Sequence, residues 1–306
     1  MSLTLATSAL PVSADVRANA RRVRAQIRSA ADKGADVVHF PECCLSGYAG
    51  VDLPSYAGYD WDLLRRCTES VQATAAKHGV HVVVGSAHRL SGDHKPHNSV
   101  YVIGPDGAIR DRYDKLFCAG PASADAGDLA HYTSGDHFVV FDIGEVTCGV
   151  LICHDYRYPE LYRQSKRRGV QLMFHSYHAG NVPQDRWDAM HDATGRENLR
   201  FHGGVGTLPG ITMPATMISM AANNYVWISA SNTSARQSCW PSLVVRPDGV
   251  IVGRLRRNTA GLLLTTIDPA VQHYDSTVAW RDRSIDGVFH SGELVDDPRS
   301  RDRQGL

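Results

Sequence analysis

The sequence lacks several features that would place it in a specialised class of protein. Its net charge is zero, because 32 Lys and Arg balance 32 Asp and Glu, so nothing favours a nucleic acid or an anionic membrane as a partner. No stretch approaches the roughly 18–20 apolar residues that span a membrane. The N-terminal segment has no basic region typical of a signal peptide and predicts a strand instead. We therefore expect a cytoplasmic protein that binds neither nucleic acid nor membrane.

Disulfide and metal patterns are also missing. The seven cysteines are odd in number and form no Cys-x-x-Cys pair, which argues against a disulfide framework or zinc ribbon and for a reducing compartment. The 15 histidines include no His-Glu-x-x-His motif, and three of them, at positions 88, 94 and 97, lie in a polar segment. We interpret those three as structural or solvated, and we expect neither a metal nor another cofactor.

What is present is an alternation of strands and helices that predicts an α/β fold with mixed sheets. No repeat, linker or charge block divides the chain, so we expect one domain, residues 1–285, followed by a C-terminal arm or strap, residues 286–306. Two Pro-Asp-Gly turns predict hairpins, and the second hairpin is placed near 242–254 and 260–267. The remaining predicted strands are 3–9, 36–40, 81–86, 146–152, 171–175 and 225–231, and the predicted helices are 15–33, 61–78, 159–168 and 214–223.

The most informative position is Cys153, which ends an apolar, β-branched run. The run predicts a strand buried on both faces, and Pro159 suits the first position of a following helix. Open α/β folds bind ligands at such strand ends, and a helix N-terminus favours a thiolate. A buried structural cysteine is the alternative, and the position alone does not decide between the two.

Two further polar groups follow predicted strands. Glu42 comes directly after an apolar strand, where a desolvated carboxylate needs a partner or a task. Lys115 lies just beyond the first hairpin. Singly, Glu42 could be a capping carboxylate and Lys115 a solvated amine. Three complementary groups at three strand ends are much less readily explained as incidental.

The three motifs resemble those of the nitrilase, or carbon–nitrogen hydrolase, superfamily, whose signature is a Glu-Lys-Cys triad in this order. Glu42 matches in F-P-E-C-C-L-S-G-Y, Lys115 in Y-D-K-L-F, and Cys153 in G-V-L-I-C-H-D-Y-R-Y-P-E-L. The resemblance runs from Leu3 to about Pro269. It implies a four-layer αββα sandwich of the nitrilase type, and a homodimer or higher homo-oligomer.

The resemblance also implies catalytic roles. Cys153 would be the nucleophile, Glu42 the general acid and base, and Lys115 a stabiliser of the oxyanion together with the backbone N–H of His154. Asp128 stands where the family usually has a second glutamate, one methylene shorter, and would orient Lys115 or the substrate. Met220-Ala221-Ala222-Asn223-Asn224 replaces a usual Arg-Ala-x-Glu-Asn segment, so a common ion-pairing pattern is absent.

The implied activity is that of a cysteine-dependent amidohydrolase that releases ammonia from a small linear amide. An N-carbamoyl amino acid hydrolase, a nitrilase, a papain-like Cys-His-Asp hydrolase and a non-catalytic ligand-binding relative remain alternatives. Arg157 could bind a substrate carboxylate or pair with Asp155 or Glu160. The segment 180–213, long and rich in Gly and Pro, predicts a lid or specificity loop rather than a surface excursion. The substrate-binding candidates are Tyr48, Arg157, His175, Tyr177 and His178.

Overall fold

The computed structural model describes residues 2–203 and 205–304, in which two mixed sheets lie between helices. The strands are β1 (Leu3–Ala9), β2 (Val37–His39), β3 (His81–His88), β4 (His97–Ile103), β5 (Ile109–Asp114), β6 (Val140–Ile143), β7 (Val146–Ile152), β8 (Leu172–Tyr177), β9 (Trp227–Asn232), β10 (Leu243–Val245), β11 (Ile251–Arg254) and β12 (Gly261–Ile267). The helices are α1 (Val16–Ala31), α2 (Trp61–His78), α3 (Pro159–Arg167), α4 (Gln184–Thr194), α5 (Leu208–Asn224), α6 (Arg281–Ile285) and α7 (Pro298–Arg301).

Each sheet has a parallel centre and antiparallel edges. The first has the order β12-β1-β2-β3-β4-β5 and the second β11-β10-β9-β8-β7-β6. In the first sheet β1, β2 and β3 are parallel, and in the second β7, β8 and β9 are parallel. The carboxyl ends of parallel strands share one edge of their sheet, which is where such folds bind ligands.

The two sheets pack face to face. His39 on β2 reaches across to Ser229 on β9 and to Ser176 on β8, at 2.8 and 3.0 Å. The apolar core between the sheets combines residues of both, such as Val83 with Phe174. Helices α1 and α2 cover the outer face of the first sheet, while α3 and α5 contribute to the core on the second. The predicted four-layer αββα sandwich is confirmed.

Local sequence signals account for several element boundaries. Asp15 caps α1 by accepting from the Ala18 N–H at 2.9 Å, and Asp60 caps α2 in the same way. Helix α2 ends at Gly79, whose φ of 64° is the left-handed conformation that a C-terminal cap requires. The predicted bounds of β1, α2 and β7 agree with the structure.

Other predictions were wrong. The segment 180–213 is not irregular, since it contains α4 and the start of α5. Helix α5 begins at Leu208 rather than at Pro214, because Thr207 caps it and Pro209 occupies its first turn. Strand β12 does not form a hairpin with β11; it pairs with β1 in the other sheet. Strand β6 was not predicted.

Across residues 2–203 and 205–304, every helix is too short or too polar to span a lipid bilayer.

The proposed division at residue 285 stays a prediction. Between 286 and 304 nearly every residue is exposed and the only helical segment described there is the short α7. Asp286 contacts Arg167 of α3 at 3.2 Å. Residues 305 and 306 of the predicted arm, and Gly204 of the predicted lid, lie outside the described residues.

Candidate active site

The fold brings the Glu42, Lys115 and Asp128 side chains into contact at one end of the sandwich. Glu42 follows β2, and Lys115 directly follows β5. The Lys115 Nζ donates to Glu42 Oε1 and to Asp128 Oδ2, each at 2.8 Å. All three residues are buried. Burial alone would lower the pKa of Lys115, but the carboxylates of Asp128 and Glu42 hold that pKa well above its usual value.

Asp128 is the second acid of this cluster and lies in a 3₁₀ turn, Gly127–Ala130. Its Oδ2 also accepts from the Ala119 N–H at 2.7 Å, and its Oδ1 accepts from the Tyr48 hydroxyl. Burial opposes ionisation of Asp128, yet Lys115 and these hydrogen bonds lower its pKa. Tyr48 is therefore a buried support for Asp128, with its hydroxyl already engaged, and its role toward a substrate stays a prediction.

The two oxygens of the Glu42 carboxylate differ in their hydrogen bonding. Oε1 accepts from Lys115 and from Asn98 Nδ2, the latter at 2.7 Å. Oε2 is buried and has no hydrogen-bond partner among the described residues. A base that is oriented through one oxygen can accept a proton on the other. Asn98 was not among the predicted site residues, although its amide lies inside the largely buried strand β4, where a polar side chain signals a specific partner.

Cys153 begins a 3₁₀ turn, Cys153–Arg157, immediately after β7. Its φ of 40° lies in the left-handed region, a strained conformation for a residue with a Cβ and one that is common at functional sites. Its carbonyl accepts from His175 Nε2 at 3.2 Å. The turn therefore fixes the backbone of Cys153 where strand and turn meet.

The expectation that a helix N-terminus stabilises a Cys153 thiolate was wrong. Helix α3 begins only at Pro159, beyond the 3₁₀ turn, so Cys153 is not at the N-terminus of an α-helix, which is where the helix dipole acts. Burial raises the pKa of the Cys153 thiol well above its usual value, and the charge of Glu42 raises it further, while Lys115 lowers it. These interactions place Cys153 in the electrostatic field of Glu42 and Lys115. A neutral thiol needs a base before it can attack.

His175 and Tyr177 are fully buried and belong to the scaffold of the site. His175 Nδ1 accepts from the Tyr162 hydroxyl at 2.6 Å while Nε2 donates to Cys153, and burial lowers the pKa of His175 to about 3. Tyr177 stacks on His175 with ring centroids 4.3 Å apart and packs edge-on against Trp240. Both rings support the turn that carries Cys153, and their role toward a substrate stays a prediction.

The buried carboxylate of Asp155 stabilises the same turn by accepting hydrogen bonds. Its Oδ2 accepts from the Ile152 N–H at 2.9 Å and from the Tyr113 hydroxyl at 2.8 Å, and its Oδ1 accepts from the Phe117 N–H at 2.9 Å. Burial raises its pKa to about 6. Because its oxygens face these donors, the suggested pairing of Arg157 with Asp155 was wrong.

We expect Asp155→Ala to lower the free energy of unfolding by about 2–4 kcal/mol, because it leaves buried donors without an acceptor. Asp155→Asn should cost less, because its amide oxygen keeps one of the two acceptor positions and no charge is buried, while its NH2 group loses the donor or donors at the other position. Urea unfolding at pH 7 would compare them. Equal losses in the two variants would show that the hydrogen bonds are not what holds the turn.

The remaining predicted residues surround the turn. His154 is half-buried, and its ring packs edge-on against the Tyr158 ring with the ring centroids 5.7 Å apart. Arg157 is exposed, with its guanidinium 4.6 Å from the centre of the Tyr156 ring, so its role toward a substrate stays a prediction. His178 is buried, and its Nε2 lies 2.9 Å from Asp52 Oδ2. Asp52 was not among the predicted site residues.

The segment 180–213 lies near the nucleophile turn at its C-terminal end. Thr212 Oγ1 is 3.1 Å from the Tyr156 hydroxyl, and Met213 Sδ accepts from Trp240 Nε1 at 3.0 Å. Residues at its N-terminal end are anchored too, since the Asn181 side chain donates to Asp52. Its function as a lid stays a prediction.

Apart from the Glu42–Lys115–Asp128 cluster, the described residues form a further cavity but no metal site. Within the described ranges, no group of three or more His, Cys, Asp or Glu side chains is placed to hold a metal ion. A cavity of about 570 Å³ is lined by Val146, Gln171 and Trp227, which lie at the amino ends of the parallel strands of the second sheet. It is therefore at the opposite end of the sandwich from Cys153.

Comparison with known proteins identifies the family of this chain. The model of the carbon–nitrogen hydrolase family matches residues 4–274. The chain belongs to this family. Among curated relatives it is 30% identical over 175 residues to the omega-amidase NIT2 of Homo sapiens, covering 56% of this chain and 62% of the relative. It is also 30% identical over 170 residues to the 2-oxoglutaramate amidase of Bacillus subtilis, covering 55% and 62%. The chain thus spans less than two thirds of the length of these relatives.

Solved structures show the same architecture. An amidase from Nesterenkonia sp. superposes with a TM-score of 0.67 at 21% identity, covering 87% of this chain and 90% of the other. A cysteine-to-alanine mutant of the Nesterenkonia AN1 amidase, described as belonging to the nitrilase superfamily, gives a TM-score of 0.67 at 20% identity and covers 88% and 91%. At 20–21% identity, the similarity to these structures establishes the fold of the chain and nothing further.

Proposed function

We propose that this carbon–nitrogen hydrolase family member is a cysteine-dependent amidase that releases ammonia from small linear amides through a Cys153 thioester. The observation that carries the proposal is the buried Glu42–Lys115–Asp128 cluster, in which Glu42 Oε2 has no hydrogen-bond partner among the described residues and whose charges act on the Cys153 thiol. The relatives described as omega-amidases and as a 2-oxoglutaramate amidase support amides over the alternative substrates.

Acylation begins with the thiol, which burial keeps neutral. Glu42 Oε2 takes the thiol proton as Cys153 Sγ attacks the carbonyl carbon, and the carbonyl π electrons move onto oxygen. Lys115 Nζ uses two of its three N–H bonds on Glu42 and Asp128, so its third is left for the oxyanion. The backbone N–H of His154 is the second proposed donor. Glu42 then gives its proton to the departing nitrogen, and the carbon–nitrogen bond breaks.

Hydrolysis of the thioester reuses the same groups. Water attacks the acyl carbon while Glu42 takes one of its protons, and the carbon–sulfur bond breaks to return the carboxylic acid product and the thiol. Asp128 takes no proton in this scheme. It anchors Lys115 from the side opposite Glu42, in the place of the family's second glutamate.

A substrate screen tests the proposal. Small linear amides, N-carbamoyl amino acids and nitriles are incubated with the protein, and ammonia release is measured beside intact-mass detection of an acyl adduct. We expect turnover of amides that Cys153→Ala abolishes, while Cys67→Ala on α2 retains it. Turnover of N-carbamoyl compounds or nitriles alone would favour those alternatives. No turnover and no adduct with any compound would favour a non-catalytic ligand-binding relative.

Cytoplasmic location and homo-oligomer formation also remain proposals. Large apolar side chains are exposed in the C-terminal part of the chain, among them Tyr274, Phe289, Leu294 and Val295. Such a concentration is typical of a surface that another molecule covers. This supports the expected homo-oligomer without defining its size.

A further inference from the structure

His178 and Asp52 form a buried pair beside the proposed catalytic cluster. Their side chains are 0% and 1% exposed, and His178 Nε2 lies 2.9 Å from Asp52 Oδ2, a charge contact rather than a hydrogen bond, since neither ring nitrogen of His178 has a hydrogen-bond partner among the described residues. Asp52 is held in place because its Oδ1 accepts from Asn181 Nδ2 at 2.5 Å and its Oδ2 from the Tyr48 N–H at 2.9 Å. A buried histidine next to a fixed carboxylate is well placed to carry a proton.

The pair is joined to the catalytic groups through direct contacts. The His178 ring packs on the Tyr48 ring with centroids 5.1 Å apart, and the Tyr48 hydroxyl donates to Asp128, which holds Lys115. Residue 178 directly follows Tyr177, whose carbonyl accepts from the Glu42 N–H at 3.3 Å. His178 therefore lies at the carboxyl end of β8, between Glu42 on one side and Tyr48 on the other.

Without a charge on His178 this region has an excess of two negative charges, and a positive charge on His178 reduces that excess to one. Two of the three buried carboxylates, those of Glu42 and Asp128, contact the buried ammonium of Lys115, and the third, that of Asp52, contacts His178. An uncompensated buried charge is strongly unfavourable. Formation of a negative charge on Cys153 or on the substrate oxygen is harder in an excess of negative charge, and the carboxylates of Glu42 and Asp128 do raise the pKa of the Cys153 thiol.

We propose that protonated His178, held by Asp52, is a positioning residue that supplies the second positive charge of the active site. This rests on the proposed function, since it explains how Glu42 can act as a carboxylate base beside Asp52 and Asp128. His178 exchanges no proton with the substrate in this role. The charged and titratable groups that surround it are Asp52, Glu42 and Tyr48 from the segment after β2, Cys153 after β7, and Lys115 with Asp128 beyond Tyr48.

The direction of the pH effect follows from the pair. Burial opposes protonation of His178, but Asp52 and Glu42 outweigh it, and the pKa of His178 is raised above its usual 6.5. The stabilising charge is therefore fully present below that value and is lost as the pH rises through the raised pKa. Activity that needs the imidazolium should fall on the alkaline side.

The decisive experiment compares pH profiles of kcat/KM for amide hydrolysis in three proteins. For wild type we expect kcat/KM to fall at alkaline pH, and we call this fall the alkaline limb. In Asp52→Asn the midpoint of the alkaline limb should lie about 1–3 pH units lower, because a close carboxylate raises a histidine pKa by that amount. His178→Gln should lower kcat/KM at least about tenfold near pH 6 and remove the limb. Asp111→Asn is the matched control, since Asp111 lies 3.7 Å from His137 at a site where both are over 40% exposed, and its profile should match wild type.

A second measurement does not depend on turnover. The rate at which iodoacetamide alkylates Cys153, followed by mass spectrometry, should show the same shift in Asp52→Asn. If alkylation shifts but no amide is hydrolysed, the His178 inference stands and the proposed function fails. If amides are hydrolysed but neither profile moves in a folded Asp52→Asn variant, the inference is overturned. Should Asp52→Asn not fold, NMR titration of the His178 ring in wild type decides, and a midpoint that differs from the alkaline limb overturns it.

Discussion

Glu42→Gln is expected to lower kcat/KM for amide hydrolysis by at least about 10³-fold while the protein stays folded. The glutamine oxygen can still accept from Asn98 and Lys115, as Glu42 Oε1 does at 2.7 and 2.8 Å. What disappears is the open carboxylate oxygen that would take the thiol proton. The loss should be large because the same group is needed to form the thioester and to hydrolyse it.

The measurement is steady-state ammonia release together with thermal unfolding. Glu69→Gln is the matched control, because Glu69 lies on the exposed face of α2 and pairs only with Arg65 among the contacts described there. Its activity should equal that of wild type. A Glu42→Gln variant that keeps a tenth or more of wild-type kcat/KM would mean that another group activates Cys153, and the proposed proton path would be wrong.

The sequence predicted the parts of the site that lie next to regular elements. Cys153 follows a strand with a clear apolar pattern, Lys115 follows a hairpin strand marked by its Pro-Asp-Gly turn, and strand ends in an α/β sandwich meet at a common edge. The layers followed from the family resemblance, with β1, α2 and β7 also given by local signals. Each of these predictions depended on residues close together in the sequence, either a local pattern or a short motif.

What could not be predicted depends on contacts between distant segments. The pairing of β12 with β1 joins residues about 260 positions apart, and no local pattern selects β1 over β11. Asn98 orients Glu42 across 56 positions, and Asp52 meets His178 across a still longer gap. The state of the Cys153 thiol was mispredicted because burial, which the sequence does not show, raises the pKa of the thiol, and because α3 begins beyond the turn rather than at Cys153.

Lys115→Met is expected to abolish amide turnover and to lower the free energy of unfolding by about 3–5 kcal/mol. The thioether fills much of the same volume but leaves the carboxylates of Glu42 and Asp128 buried without their cation, both at 2.8 Å from Nζ in the native protein. Adding Asp128→Asn to Lys115→Met should recover part of the stability, because it removes one unpaired charge, yet no activity should return.

Urea unfolding of the single and double variants would measure this, with the exposed Lys33→Met as the control that leaves stability unchanged. The difference between wild type and Lys115→Met should also depend on pH. Lys115 lowers the pKa of Asp128 below its usual 3.8, so the stabilisation is present above that value and shrinks as the pH falls through the lowered pKa. If Lys115→Met unfolds at the urea concentration of wild type at pH 7, the ammonium is not what allows these acids to be buried. The third N–H of Lys115 could then still bind an oxyanion, but the cluster would have to be held together by its hydrogen bonds to Asn98, Tyr48 and the Ala119 backbone.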